Sequence, residues 1–159
     1  MLEPGQPIPN LSLPDQQDKQ HLLPDLLAAK GAVFYFYPRD NTPGCSLEAN
    51  DFQTLLPQFT ALGVAIVGIS KDSIPSHQKF CLKYGLTFTL LSDGNGQACQ
   101  DFGVWQEKKN YGKVSMGIVR TTFIVGAEGV VQRVYRNVRT NGHAQQVLLD
   151  LQKQLSLPL

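Results

Sequence analysis

Ala32-Val33-Phe34-Tyr35-Phe36-Tyr37 is an unbroken apolar and aromatic run of six residues. A strand with one wet face alternates polar and apolar positions. A run without alternation fits a strand covered on both faces. Val64–Ser70 (VAIVGIS) has the same character. Between the two, Leu47, Phe52, Leu55, Leu56, Phe59 and Leu62 recur near helical spacing, which predicts an amphipathic helix. Pro57 falls inside that helix and is expected to kink or interrupt it, because its ring clashes with the preceding turn. Strand, helix, strand in this order makes a parallel pair the natural result.

The rest of the chain extends the pattern. Residues 11–14 read as a short edge strand, 15–20 as a turn and 22–29 as an irregular or helical piece ending at Gly31. A second helix is expected over Ile74–Tyr84, with Ser73 as N-cap and Gly85 just past its end. A strand at 89–91 and a short helix near 96–102 follow. Residues 103–117 show no clear period and are expected to be loop. Strands at 121–125 and 130–135 flank Gly126-Ala127-Glu128-Gly129, a hairpin signal. A helix from about His143 to Leu155, with Val147, Leu148 and Leu151 as its stripe, closes the chain. Helices available for both faces of one sheet make this an α/β sandwich. At 159 residues the chain is expected to be one domain, 1–159, large enough to hold a core without disulfide or metal.

Composition excludes several functions. Lys plus Arg is 14 and Asp plus Glu 13, a net charge of +1 without the basic footprint of a nucleic-acid binder. No apolar run approaches the ~20 residues of a membrane span. The opening Met-Leu-Glu-Pro-Gly-Gln-Pro lacks the basic and apolar regions of a signal peptide, so a cytoplasmic location is expected. Cys45, Cys81 and Cys99 are odd in number and form no CxxC pair, which suggests free thiols in a reducing compartment. His21, His77 and His143 are scattered, with no zinc spacing. Neither metal nor cofactor is expected.

The segment Tyr37-Pro38-Arg39-Asp40-Asn41-Thr42-Pro43-Gly44-Cys45 joins a buried strand to a helix, where α/β sheets place their ligands. Thr42 suits the N-cap and Pro43 the first helical position. Cys45 then falls in the first turn, where free N–H groups and the positive end of the helix dipole stabilise a thiolate. A lone cysteine also serves as a small buried hydrophobe, and Thr-Pro is an ordinary helix start.

Pro-x-x-x-Thr-x-x-Cys, filled by Pro38, Thr42 and Cys45, resembles the peroxiredoxin signature. The run FYPRDNTPGCSLEANDF is similar to the bacterioferritin-comigratory, or Q-type, subfamily. The likeness continues through Val67-Gly68-Ile69-Ser70-Lys71-Asp72, residues 87–93, Phe102-Gly103-Val104-Trp105 and Ile118-Val119-Arg120-Thr121-Thr122-Phe123. It implies a thioredoxin-like fold, a central mixed β-sheet flanked by helices, with an N-terminal extension. It also implies a thiol peroxidase acting on hydrogen peroxide and organic hydroperoxides. Cys45 would be the peroxidatic cysteine, oxidised to a sulfenic acid. Thr42 would hydrogen-bond the peroxide, Arg120 would hold thiolate and substrate together, and Pro38 would shield the thiolate from water. Arg120 could equally be a surface ion pair, and Pro38 a strand terminator.

Acidity alone does not make a fast peroxidase. Lowering a thiol pKa from ~8.5 to ~6 raises the thiolate fraction at pH 7 about 30-fold. The less basic thiolate loses roughly 13-fold in nucleophilicity, on a slope borrowed from thiol–disulfide exchange, leaving a gain of about two- to three-fold. Donors that act on the transition state must supply most of the acceleration, and Arg120 and Thr42 are the candidates.

Many Q-type proteins carry a resolving cysteine five residues after the peroxidatic one, where this chain has Asn50. A branch of the subfamily resolves from the next helix, which points to Cys81, recycled by thioredoxin. Cys99 is expected to be a spectator. The alternatives are a one-cysteine peroxidase using glutathione or glutaredoxin, and a redox sensor or holdase. The expected state is a monomer.

Overall fold

A computed structural model describes residues 1–156. Its centre is a five-stranded mixed sheet built on β3 (Gly31–Phe36), in which every residue is buried. In strand order the sheet runs β5 (Thr89–Ser92), β4 (Val64–Ser70), β3, β8 (Thr121–Val125), β9 (Val131–Tyr135). The β3–β4 and β4–β5 pairs are parallel, and β3–β8 and β8–β9 antiparallel. Before β3, β1 (Ser12–Pro14) pairs with β2 (Gln20–Leu22), and a 3-10 turn spans Leu23–Leu26.

Alternation along β3 divides two cores. Val33 and Tyr35 face α1 (Pro43–Ala61), α2 (Ile74–Tyr84) and α4 (His143–Ser156), meeting Phe52, Phe59, Phe80 and Leu151. Ala32, Phe34 and Phe36 face α3 (Gln97–Phe102) and the N-terminal segments, meeting Leu13, Leu23, Cys99 and Phe102. The α/β architecture with helices on both faces is the expected one. No helix among the described residues is long and apolar enough to cross a membrane.

Three sequence expectations need correction. Helix α1 is continuous through Pro57. Pro57 is on the exposed side, where the carbonyl deprived of its donor can be hydrated, while Phe52 and Phe59 anchor the helix on either side of it. The expected stripe of α1 fails at Leu47, which is exposed; Phe52 and Phe59 are buried, Leu55, Leu56 and Leu62 pack against the core, and Cys45, Glu48 and Ala49 join the inward face. Residues 103–117 are not loop. They form a hairpin of β6 (Trp105–Asn110) and β7 (Lys113–Ile118), turned by Tyr111 and Gly112, both with positive φ. Most of β7 is solvent-exposed, so no core imposes the alternation that would have revealed it.

Helix α2 has its expected bounds. Ser73 Oγ accepts from Ser76 N at 3.2 Å, and Gly85 closes the helix in the left-handed region.

Candidate functional site

Loop 37–42 carries the chain from the buried end of β3 to α1. Thr42 is the N-cap and Pro43 opens the helix, as expected, but the Thr42 side chain does not cap. Its hydroxyl donates instead to the Arg39 carbonyl at 3.0 Å. The first N–H groups of a helix have no partner within it. Without a side-chain cap, those of Gly44 and Cys45 are left for whatever lies at this helix end. Pro38 is partly buried in the same loop.

Cys45 is buried, and Arg120 Nη2 donates to its sulfur at 3.2 Å. Arg120 lies between β7 and β8, and its carbonyl accepts from Val138 N at 2.9 Å. Its other terminal nitrogen, Nη1, donates to Glu48 Oε1 at 3.0 Å. One planar guanidinium therefore bridges a sulfur and a carboxylate that lie three residues apart on one helix face. Burial drives the Glu48 pKa up to about 7, with Arg120 acting against the rise. Burial also disfavours the Arg120 charge, but Glu48 and Cys45 more than offset it, and the guanidinium pKa is raised. Glu48 Oε2 is buried without a hydrogen-bond partner.

An open depression beside Arg120 is lined by Lys108, Val119, Asn137 and Val138. Burial and the neighbouring Arg120 charge lower the Lys108 pKa, while Cys45 acts in the opposite sense. His143, at the start of α4, is pushed down to about 4 by burial and by Arg120, so it is neutral at pH 7.

Cys81 is half-buried on α2 and packs against the core that contains Cys45. All three cysteines are free thiols. Burial, then the Asp40 charge, raises the Cys81 pKa to about 11. Cys99 is fully buried in α3 on the opposite sheet face, its pKa raised by burial and then by Asp93.

The structure thus brings Cys45 and Arg120 into contact, with Thr42 and Pro38 in the adjoining loop. Sequence reasoning missed Glu48. Its signal was available: a carboxylate three residues after the cysteine shares its helix face, and a buried carboxylate requires a cationic partner. Among the described residues no group of three or more His, Cys, Asp or Glu side chains is placed to hold a metal ion.

The model of the AhpC/TSA family matches residues 4–134. A putative peroxiredoxin of Coxiella burnetii is 43% identical over 92% of this chain and 97% of its own. Peroxiredoxin Bcp of Escherichia coli is 39% identical over 92% and 94%. The bacterioferritin comigratory protein of Xanthomonas campestris, described for its alkyl peroxide reduction activity, superposes with a TM-score of 0.89. It is 40% identical, and the match covers 98% of this chain and 99% of that one. Solved forms of the Xanthomonas protein include two single cysteine-to-serine variants, whose positions are as far apart as Cys45 and Cys81 are here.

Proposed function

Because the chain belongs to the AhpC/TSA family, in its bacterioferritin-comigratory, peroxiredoxin Q branch, we propose that it reduces hydrogen peroxide and alkyl hydroperoxides through Cys45. The observation that carries this reading is the 3.2 Å contact between Arg120 Nη2 and the Cys45 sulfur, in the first turn of α1.

The Cys45 thiolate attacks one peroxide oxygen. A sulfur–oxygen bond forms and the oxygen–oxygen bond breaks. Cys45 becomes a sulfenic acid, and the departing oxygen takes a proton and leaves as water or an alcohol. Negative charge moves from sulfur to oxygen along this path. A guanidinium already desolvated and fixed by Glu48 can follow that charge without reorganising. Thr42, whose hydroxyl proton is engaged by the Arg39 carbonyl, meets the peroxide O–H as an acceptor. Pro38 excludes bulk water from the turn.

Cys81 then attacks the sulfenic sulfur. The sulfur–oxygen bond breaks, a disulfide forms, and hydroxide leaves with the thiol proton as water. Thioredoxin reduces the disulfide with two electrons. The cysteine spacing shared with the Xanthomonas variants supports Cys81. A second reading, with glutathione or glutaredoxin reducing Cys45 directly, draws on the half-buried, protonated state of Cys81 in the folded helix.

The decisive experiment couples peroxide consumption to thioredoxin and its reductase, with mass spectrometry of the oxidised protein. Turnover together with a Cys45–Cys81 bond is expected. Turnover with glutathione alone, with Cys81 left as a thiol, selects the second reading. No peroxide consumption with any thiol overturns both.

A further inference from the structure

Two successive residues of the loop that leads into α1 are fastened to α2, one near each end of that helix. Asp40 holds the N-terminal end: its Oδ2 accepts from Ser76 Oγ at 2.8 Å and lies 2.7 Å from His77 Nδ1. Asn41 holds the C-terminal end, where its Oδ1 accepts from Lys83 Nζ at 2.9 Å and from the Tyr84 hydroxyl at 3.2 Å. Cys81 lies between these attachments, and Cys45 begins four residues after Asn41.

The Asp40 attachment is the stronger of the two. The Asp40 and His77 side chains are 3% and 0% exposed. The Tyr37 hydroxyl donates to Asp40 Oδ1 at 2.6 Å, and Asp40 N donates to Asp72 Oδ2 at 2.9 Å. His77 Nε2 lies 3.0 Å from the Leu91 carbonyl, which can only accept, so Nε2 carries a hydrogen. Nδ1 meets Asp40 Oδ2 at 2.7 Å, so both ring nitrogens are engaged. Buried hydrogen-bond networks of this kind are costly to open. The Lys83 and Tyr84 bonds to Asn41 are exposed.

A disulfide needs Cα atoms within ~7 Å and converging side chains, and the latch takes Cys81, half-buried within the intact helix, to meet Cys45 as α2 loosens. Loosening the helix separates Asp40 from Ser76 and His77. We propose that Asp40, gripping Ser76 and His77, is a latch on α2 whose strength sets the rate at which Cys81 is released to the oxidised Cys45. The proposal rests on the reading of Cys81 as the resolving thiol. Asp40, Ser76 and His77 are positioning residues: their hydrogen bonds hold α2 to the loop, and the peroxide step does not pass through them. A tight latch prolongs the life of the sulfenic acid, which a second peroxide converts to sulfinic acid. The latch therefore also sets the peroxide concentration at which the enzyme is lost to over-oxidation. Opening it draws Cys81 out of the burial and away from the Asp40 charge that keep it protonated.

The test is rapid mixing of the reduced protein with hydrogen peroxide, followed by thiol trapping and mass spectrometry of the sulfenic, disulfide and sulfinic forms. The variants are Ser76→Ala, His77→Leu, Ser76→Thr, which keeps the hydroxyl, and Gln78→Ala, an exposed control on the same helix. Alanine is the better helix former, so a purely local effect of Ser76→Ala would tighten α2. The latch predicts the reverse. Disulfide formation should be several-fold faster in Ser76→Ala and about tenfold faster in His77→Leu, the order of a lost charged hydrogen bond. The sulfinic fraction should fall, and hydrogen exchange over Ile74–Tyr84 should rise. Sulfenic acid formation should stay within two-fold of wild type, and Ser76→Thr and Gln78→Ala should behave as wild type. If His77→Leu does not fold, Ser76→Ala decides. Equal disulfide rates in wild type and a folded Ser76→Ala overturn the latch alone, as does a Gln78→Ala as fast as Ser76→Ala. A wild-type protein that forms no Cys45–Cys81 bond overturns the resolving assignment, and the latch with it.

Discussion

Arg120 Nη2 lies 3.2 Å from Cys45 Sγ across a sequence separation of 75 residues. The contact joins the start of α1 to the link between a surface hairpin and the central sheet. Only the tertiary fold brings it about.

Cys45→Ser is expected to abolish peroxide consumption. The exchange is small, and the sheet and helices around it should persist. Circular dichroism and a peroxide assay on the same sample check both halves. Substantial turnover in the variant would remove Cys45 from the mechanism.

Arg120→Ala should raise the barrier to Cys45 oxidation by roughly 2–4 kcal/mol, the range for loss of a single preorganised donor. Arg120→Lys should recover only part, because one ammonium cannot match the two arms that meet sulfur and carboxylate. Stopped-flow oxidation rates measure this, and a change below two-fold in the alanine variant would remove Arg120 from the transition state.

Glu48 gives a pH signature. The unfolded chain releases this proton near 4.5 and the folded protein near 7, so the folded state binds more protons in between. Stability therefore falls as pH rises through that window, by about 3 kcal/mol if the whole shift is expressed. Glu48→Gln should lack this component. Denaturant unfolding of both proteins at pH 5 and pH 8 tests it: the glutamine variant should gain relative to wild type at pH 8, and an unchanged difference would refute the sign.

Cys99→Ser should keep thioredoxin-linked turnover, since that thiol is fully buried in α3 on the far side of the sheet. A variant that accumulates sulfenic acid would instead make Cys99 the resolver.

Formation of the Cys45–Cys81 bond should remove hydrogen-exchange protection from the first turn of α1 and from part of α2. Protection unchanged in both segments of a confirmed disulfide form would mean that the two thiols meet without unwinding.

What was legible in the sequence was what the core dictates. The unalternating run of β3 placed the buried strand, and Ser73 and Gly85 placed both ends of α2, because caps and burial act locally. The motif around Cys45 placed its helix turn. The β6–β7 hairpin was illegible because its polar, exposed strands leave no hydrophobic period. Pro57 does not interrupt α1, because the local steric rule competes with two phenylalanines that hold the helix to the sheet. Glu48 could have been suspected from its spacing to Cys45, but its partner Arg120, like the Asp40–His77 pairing, is brought near only by folding.

The β6–β7 hairpin forms a two-stranded sheet of its own, so each strand offers a backbone edge with no described neighbour. Lys108, Lys109 and Lys113 stand on those strands, and Val114 and Met116 are exposed beside them. Such edges recruit further strands unless charge keeps like copies apart. The lysines thus act on colloidal behaviour, and Lys108 on the field near Cys45 as well. Replacing Lys109 and Lys113 with glutamine should make the weight-average mass in sedimentation climb with protein concentration, and raising the salt should drive the unaltered chain the same way.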